Sequence, residues 1–217
     1  MNLMSRAGCL MLGVMLFISS GCGVGYQKVN GKWSYVVWDE GNGRRALELK
    51  ADQASFTKLG HKDYARDKDS VFYHTEPIPH ADPTTFELLG DPIYSRDASH
   101  AYLMGHLIDG ADPKTFAVLE APYSKDADHV YCGTRRIEGA DVARFKVLKG
   151  SSMWRQGDDL STPITGFGWA CDGTSHYYGL DQVTDADYES FRVIDETTAA
   201  DKNRTFKGGF LGLNDPT

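Results

Sequence analysis

The chain has 217 residues, 41% of them hydrophobic and 24% charged, with a formal net charge of −7. That length suits one ordinary domain or a repeat array of similar mass, and the balance of apolar and charged residues excludes a disordered chain. An acidic chain with no run of Lys and Arg is also a poor match for nucleic acid, whose phosphates call for clustered cations. The 23 glycines and 11 tyrosines favour turns and half-buried strands over long helices.

Residues 1–22 read as an export signal. Arg6 supplies the positive start, and Ala7 to Ile18 form an apolar stretch that is short of the about 20 residues a membrane span needs. Ser19-Ser20-Gly21 then lead to Cys22. Small residues before a cysteine resemble a bacterial lipobox, although Ser19 stands where Leu is commoner. The resemblance implies a diacylglyceryl thioether on Cys22, which anchors the protein to the cell envelope. An ordinary secretory signal cut nearby, or an uncleaved anchor, are the alternatives. Gly23 follows Cys22 where an Asp would retain a Gram-negative lipoprotein at the inner membrane, so for a Gram-negative cell the resemblance implies the outer membrane, facing periplasm or surface. Residues 23–32 read as a tether.

With Cys9 in the signal and Cys22 acylated, Cys132 and Cys171 remain. An export compartment is oxidising, so they form either one disulfide or two separate buried thiols; spacing alone does not decide.

Internal repeats dominate the rest of the chain. Four stretches align: Tyr64 to Tyr73, Tyr94 to Tyr102, Tyr123 to Tyr131 and Trp169 to Tyr178. Each is followed by a second block: Ala81-Asp82-Pro-Thr-Thr-Phe86, Ala111-Asp112-Pro-Lys-Thr-Phe116, Ala140-Asp141-Val-Ala-Arg-Phe145 and Ala186-Asp187-Tyr-Glu-Ser-Phe191. The leading aromatics and the Ala-Asp pairs are both 30, 29 and 46 residues apart. The longest interval implies an insertion of about 17 residues, placed within 150–166, a Gly/Ser/Asp-rich stretch that contains Trp154. A degenerate copy precedes these, with Tyr35 to Gly43 as an eroded first block and Ala51-Asp52 to Leu59 as its second. The expected repeat domain covers 33–213, with copies at about 33–60, 64–90, 94–120, 123–149 and 169–195 and a half-copy at 198–213.

Residues 94–119 give the expected unit. Tyr94 to Arg96 is a strand, Asp97-Ala98-Ser99-His100 a turn, and Ala101 to Met104 the return strand. Asp112 is placed as a helix N-cap with Pro113 at the first helical position. One or two helical turns then end near Phe116, which buries with Val118 and Leu119 against the neighbouring hairpin. The fold class predicted is mainly β with short helical turns, in tandem repeats of about 30 residues that are stable only when stacked.

The aromatic-small-basic-Asp-polar-polar-aromatic string, followed by Ala-Asp-Pro-Lys-Thr-Phe-x-Val-Leu, resembles the DKNYY family. The resemblance covers about residues 33–210 and is closest at 94–148; the fourth copy lacks the Pro after Asp187. It implies an exported or lipid-anchored bacterial protein and assigns no catalytic residue.

The pairs Asp67/Asp69 and Asp126/Asp128 invite calcium, but that ion takes six to eight oxygens, and turn roles fit isolated pairs better. His100, His129 and His176 read as one register of solvated turn histidines, without metal-ligand spacing. Neither a nucleophile elbow nor a phosphate loop is present, and no cofactor or metal is expected. Trp33, Trp38 and Trp169 read as core; Trp154, in the insertion, is the candidate binding residue, since insertions in arrays often sit on the binding face. The function expected is a lipid-anchored, non-catalytic binding or interaction module of the cell envelope, with an envelope protein or glycan as partner. A periplasmic enzyme with its site between repeats, or an inhibitor or immunity-type protein, are the alternatives.

Overall fold

The computed structural model describes residues 23–154, 159–209 and 212–213. Six small antiparallel sheets follow one another along the chain. β1 (Gly25–Val29), β2 (Lys32–Asp39) and β3 (Gly43–Glu48) make a three-stranded sheet. Five four-stranded sheets come after it. The second holds β4 (Thr57–Lys58), β5 (Tyr64–Arg66), β6 (Val71–Tyr73) and β7 (Glu76–Pro77). The third holds β8 (Glu87–Leu88), β9 (Tyr94–Arg96), β10 (Ala101–Leu103) and β11 (His106–Leu107). The fourth holds β12 (Ala117–Val118), β13 (Tyr123–Lys125), β14 (Val130–Cys132) and β15 (Arg135–Arg136). The fifth holds β16 (Lys146–Trp154), β17 (Thr165–Cys171), β18 (His176–Tyr178) and β19 (Asp181–Gln182). The last holds β20 (Arg192–Val193), β21 (Thr198–Ala200), β22 (Thr205–Gly209) and β23 (Gly212–Leu213).

The predicted hairpin is present in register: Leu103 pairs with Tyr94 and Ala101 with Arg96. Two edge strands are added to it. A two-residue turn at Met104-Gly105, with φ of 50° and 78°, reverses the chain so that Leu103 pairs with His106. Positive φ at both central positions matches the twist of the flanking strands. The other edge, β8, is the Phe-x-Leu-Leu end of the preceding second block, so each sheet borrows its first strand from the copy before.

The helical turns are not there; among the described residues the chain is all β, turn and bend. The Asp-Pro segment makes a single turn, in which the Phe86 N–H reaches the Asp82 carbonyl at 3.0 Å. The Asp and Pro signals for a helix start are real, but nucleation is repaid only by further bonded turns. Here Phe86 is buried and Glu87 already belongs to a strand. The expected tether is also partly strand: β1 starts at Gly25, and Tyr26 is buried.

Each of five apolar clusters lies across two successive sheets. One joins Tyr94, Leu103, Ile108 and Phe116 to Tyr131 of the next sheet. Another joins Tyr64, Tyr73, Ile78 and Phe86 to Tyr102. The second-block Phe meets the middle aromatic of the next hairpin with ring centroids 6.1 Å apart for Phe56–Phe72, 5.8 Å for Phe86–Tyr102, 5.8 Å for Phe145–Tyr177 and 5.6 Å for Phe191–Phe206. No sheet closes its own core, which is why neighbours shelter one another.

Candidate functional site

The repeated residues are fastenings. Asp126 accepts from the Asp128 N–H at 2.9 Å and the His129 N–H at 2.7 Å, which shapes its own turn. Its other oxygen accepts the Tyr131 hydroxyl at 2.8 Å and, from the preceding second block, the Asp112 N–H at 3.0 Å. Asp97 repeats all four bonds with Ser99, His100, Tyr102 and Asp82. Asp172 does so with Thr174, Ser175, Tyr177 and Asp141. Asp67 and Asp201 hold the three backbone donors, and Phe72 and Phe206 stand where the other copies have Tyr. Burial pushes the Asp126 carboxyl up, but the Asp112 N–H, the Tyr131 hydroxyl and the turn amides outweigh it and hold the group below the ordinary carboxylate range.

The basic residue before Asp67, Asp97 and Asp126 reaches the other way. Arg66 donates to the Pro83 carbonyl at 2.6 Å, Arg96 to Pro113 at 2.9 Å and Lys125 to Val142 at 3.1 Å. Adjacent side chains thus tie one hairpin to the turn before it and to the turn after it. In two of these copies the leading Tyr adds a third tie: Tyr64 donates to the Ile93 carbonyl and Tyr123 to that of Gly168. Tyr26 makes the same bond to Asp63, so the first copy begins at Tyr26 and not in the expected 35–43 stretch. Sequence reading missed Tyr26 because it fell within the supposed tether.

Asp69 and Asp128 are exposed and shape no site. Among the described residues no group of three or more His, Cys, Asp or Glu could hold a metal ion. His100 and His129 are half-buried in their turns, whereas His176 is not in their register. It begins β18 opposite Cys171 of β17, at the position of Ala101 and Val130, and its ring stacks on Phe191 at 3.8 Å. Desolvation lowers its pKa, partly opposed by Asp172. Cys132 and Cys171 are two free, buried thiols. The Cys132 thiol lies against the Gly166 carbonyl at 3.3 Å. Cys171 is five residues further along the same strand, which is about 16 Å at the usual rise, far outside bridging range. Trp169 is core as expected, but Trp38 is 65% exposed. Trp154 ends β16 with its backbone opposite Thr165; its side chain lies outside the described residues.

Variation between copies collects on the last strand of each sheet. Its two residues are Glu76-Pro77, His106-Leu107, Arg135-Arg136, Asp181-Gln182 and Gly212-Leu213, while the next residue is apolar and buried in Ile78, Ile108, Ile137 and Val183. The insertion folds over two of these strands. Its first part lengthens β16, with irregular pairing between Gly150 and Met153, and its last part begins β17. Residues 159–164 return across the third and fourth sheets. Leu160 is buried with Tyr73 and Tyr102. Ile164 and Thr134 bond reciprocally, Thr134 N–H to the Ile164 carbonyl at 3.1 Å and Ile164 N–H to the Thr134 hydroxyl at 3.0 Å. Nδ1 of buried His106 lies 2.8 Å from the Thr162 carbonyl, which can only accept, so Nδ1 carries the proton. Gly133 is required there: φ is +63°, and a Cβ would stand 2.2 Å from the Ile164 oxygen.

Between this strap and the edge strands lies a groove of about 600 Å³. His80, Asp109, Arg135, Arg136, Glu138 and Ser161 are among its polar walls, and Leu107, Leu160 and Pro163 its apolar ones. Arg135 and Arg136 are exposed; the Arg136 Nε is 3.9 Å from Glu138. The volume is in the range that takes a small ligand or a few residues of an extended chain.

Comparison with curated proteins and with solved structures gives no match. The DKNYY family matches residues 22–106, a stretch holding the first sheet, the Asp67 and Asp97 fastenings and their aromatic partners. Residues 22–106 of this chain belong to the DKNYY family.

Proposed function

We propose that the protein is a lipid-anchored, non-catalytic binding module of the cell envelope, and that it engages an envelope protein or glycan through the groove under the 159–164 strap. The construction of the groove carries this reading. The repeat-defining residues are consumed in fastening hairpins together, and the residues free to vary from copy to copy lie on the last strands. The one insertion in the array is laid over two of those strands and pinned by the bonds of Thr134 and His106. A pinned strap over exposed Arg135 and Arg136 makes a preformed surface, which lowers the ordering cost of binding. Its donors suit a partner that presents carboxylates or carbonyls.

Site-specific photocrosslinking in intact cells tests the groove. A photoreactive residue at position 109, 136 or 161 should give one shared adduct, whereas exposed positions 58 and 114 should not. Equal adducts from both sets, or none from the groove, would refute it. The anchor is tested separately: metabolic labelling with palmitate should mark the wild-type chain and leave Cys22→Ser unlabelled.

A further inference from the structure

We propose that the end of the first sheet nearest Cys22 is a bilayer-contact surface, with Trp38 seated among the lipid headgroups. This rests on the reading that Cys22 is acylated, and it names the face that would then meet the membrane. The register places the surface. Gly25 pairs with Val36, so the start of β1 lies beside the end of β2. Trp38 pairs with Arg44 and Val37 with Arg45, so the start of β3 lies there too. Val24, Trp38, Arg44 and Arg45 therefore share the end from which the chain leaves towards Cys22.

Distance makes contact hard to avoid. Gly25 is three residues along the chain from Cys22, and three such steps span at most about 11 Å. An acylated Cys22 at the lipid interface would hold this end of the sheet within headgroup reach. Trp38 is 65% exposed, the highest value for a large hydrophobic side chain among the described residues, and Val24 beside it is 41% exposed. Nothing in the fastening scheme uses either side chain. A tryptophan whose apolar ring and polar N–H both remain available suits the membrane interface.

Charge does not oppose the contact. The chain is acidic overall at −7, yet this end balances Arg44 and Arg45 against Asp39 and Glu40. Arg45 lies 3.4 Å from Asp39, and Arg44 donates to Gln27 at 2.9 Å. Both guanidinium groups sit on exposed positions where long side chains reach phosphate while the ring next to them meets acyl chains.

The test uses the chain from Cys22 onward, which carries every strand. Its Cys22 thiol is coupled to a maleimide lipid in vesicles of phosphatidylethanolamine and phosphatidylglycerol; Cys132 and Cys171 are buried and stay unreacted. Chemical coupling supplies the anchor whether or not a cell acylates Cys22, so failure here and failure of palmitate labelling are separate results. Lipids brominated in the upper acyl chain should quench tryptophan emission at least twofold more in the tethered wild-type chain than in tethered Trp38→Phe. Equal quenching in the two, or none in either, would overturn the proposal. Trp38 shielded from acrylamide in a manner that grows with protein density and ignores brominated lipid would assign the surface to a second copy of the chain, and would overturn it equally.

Discussion

Removing the Asp126 carboxylate tests the fastening scheme at a point where all four of its bonds meet. Asp126→Ala leaves four donors without their acceptor: the N–H groups of Asp112, Asp128 and His129 and the Tyr131 hydroxyl, which lie at 3.0, 2.9, 2.7 and 2.8 Å. An orphaned buried donor costs about 1–3 kcal/mol. The turn amides of Asp128 and His129 can recover water, whereas Tyr131 is fully buried and the Asp112 amide is shared between two copies. Counting the turn amides near the bottom of that range and the other two near its middle gives a loss of about 6 kcal/mol. Asp128→Ala, two residues away and exposed, is the control and should change stability by no more than about 0.5 kcal/mol. Urea unfolding followed by far-UV circular dichroism measures both; unchanged slopes would show that the unfolding unit is the same. A loss under about 1 kcal/mol for Asp126→Ala, or equal losses for the two variants, would refute the reasoning.

Tyr131→Phe deletes one bond to the same carboxylate and should cost about 1–2 kcal/mol in the same assay; Phe72 and Phe206 already occupy that position in other copies, so the fold should survive. Phe116→Ala should cost about 3–5 kcal/mol by emptying a ring from the core shared by two sheets, and an unchanged thermal melt would contradict that sharing. Acid should weaken the array in a defined direction. Burial raises the Asp97, Asp126 and Asp172 carboxyls, but their hydrogen-bond donors win and place the folded values below the ordinary range. Unfolded carboxyls titrate near about 3.9, so this stabilisation is complete above about pH 4 and fades as pH falls through the folded values. Asp126→Asn should flatten that acid limb in a pH series of urea midpoints, and an unchanged limb would argue against the assignment.

The hairpin was legible because the aromatic, Asp and aromatic of Tyr94, Asp97 and Tyr102 recur with the same spacing as Tyr64, Asp67 and Phe72, as Tyr123, Asp126 and Tyr131, and as Trp169, Asp172 and Tyr177. The edge strands were not. Glu76-Pro77 and Arg135-Arg136 are two residues long, lack alternation and differ in every copy, so no pattern marks them. The Asp82-Pro83 pair carries a genuine turn-initiating signal, but no 3.6-residue apolar run comes after it to turn it into a helix. His176 misled because it stands four residues after its Asp, where His100 and His129 stand three after theirs, and that one step moves it from the turn into buried β18. Of the candidate site, only the insertion at 150–166 was marked in the sequence, by its irregular spacing. That 159–164 returns across Thr134 and His106 depends on contacts up to 56 residues apart, which no local pattern encodes.

Hydrogen exchange tests most directly whether each copy is fastened to the next through its Asp. The amides of Asp52, Asp82, Asp112, Asp141 and Asp187 lie in turns, yet each donates to the Asp of the following hairpin. They should exchange as slowly as the amides of Tyr102 and Tyr131 in the central strands, and Asp126→Ala should release Asp112 first. Exchange of all five at the rate of open loops in the wild-type chain would contradict the account.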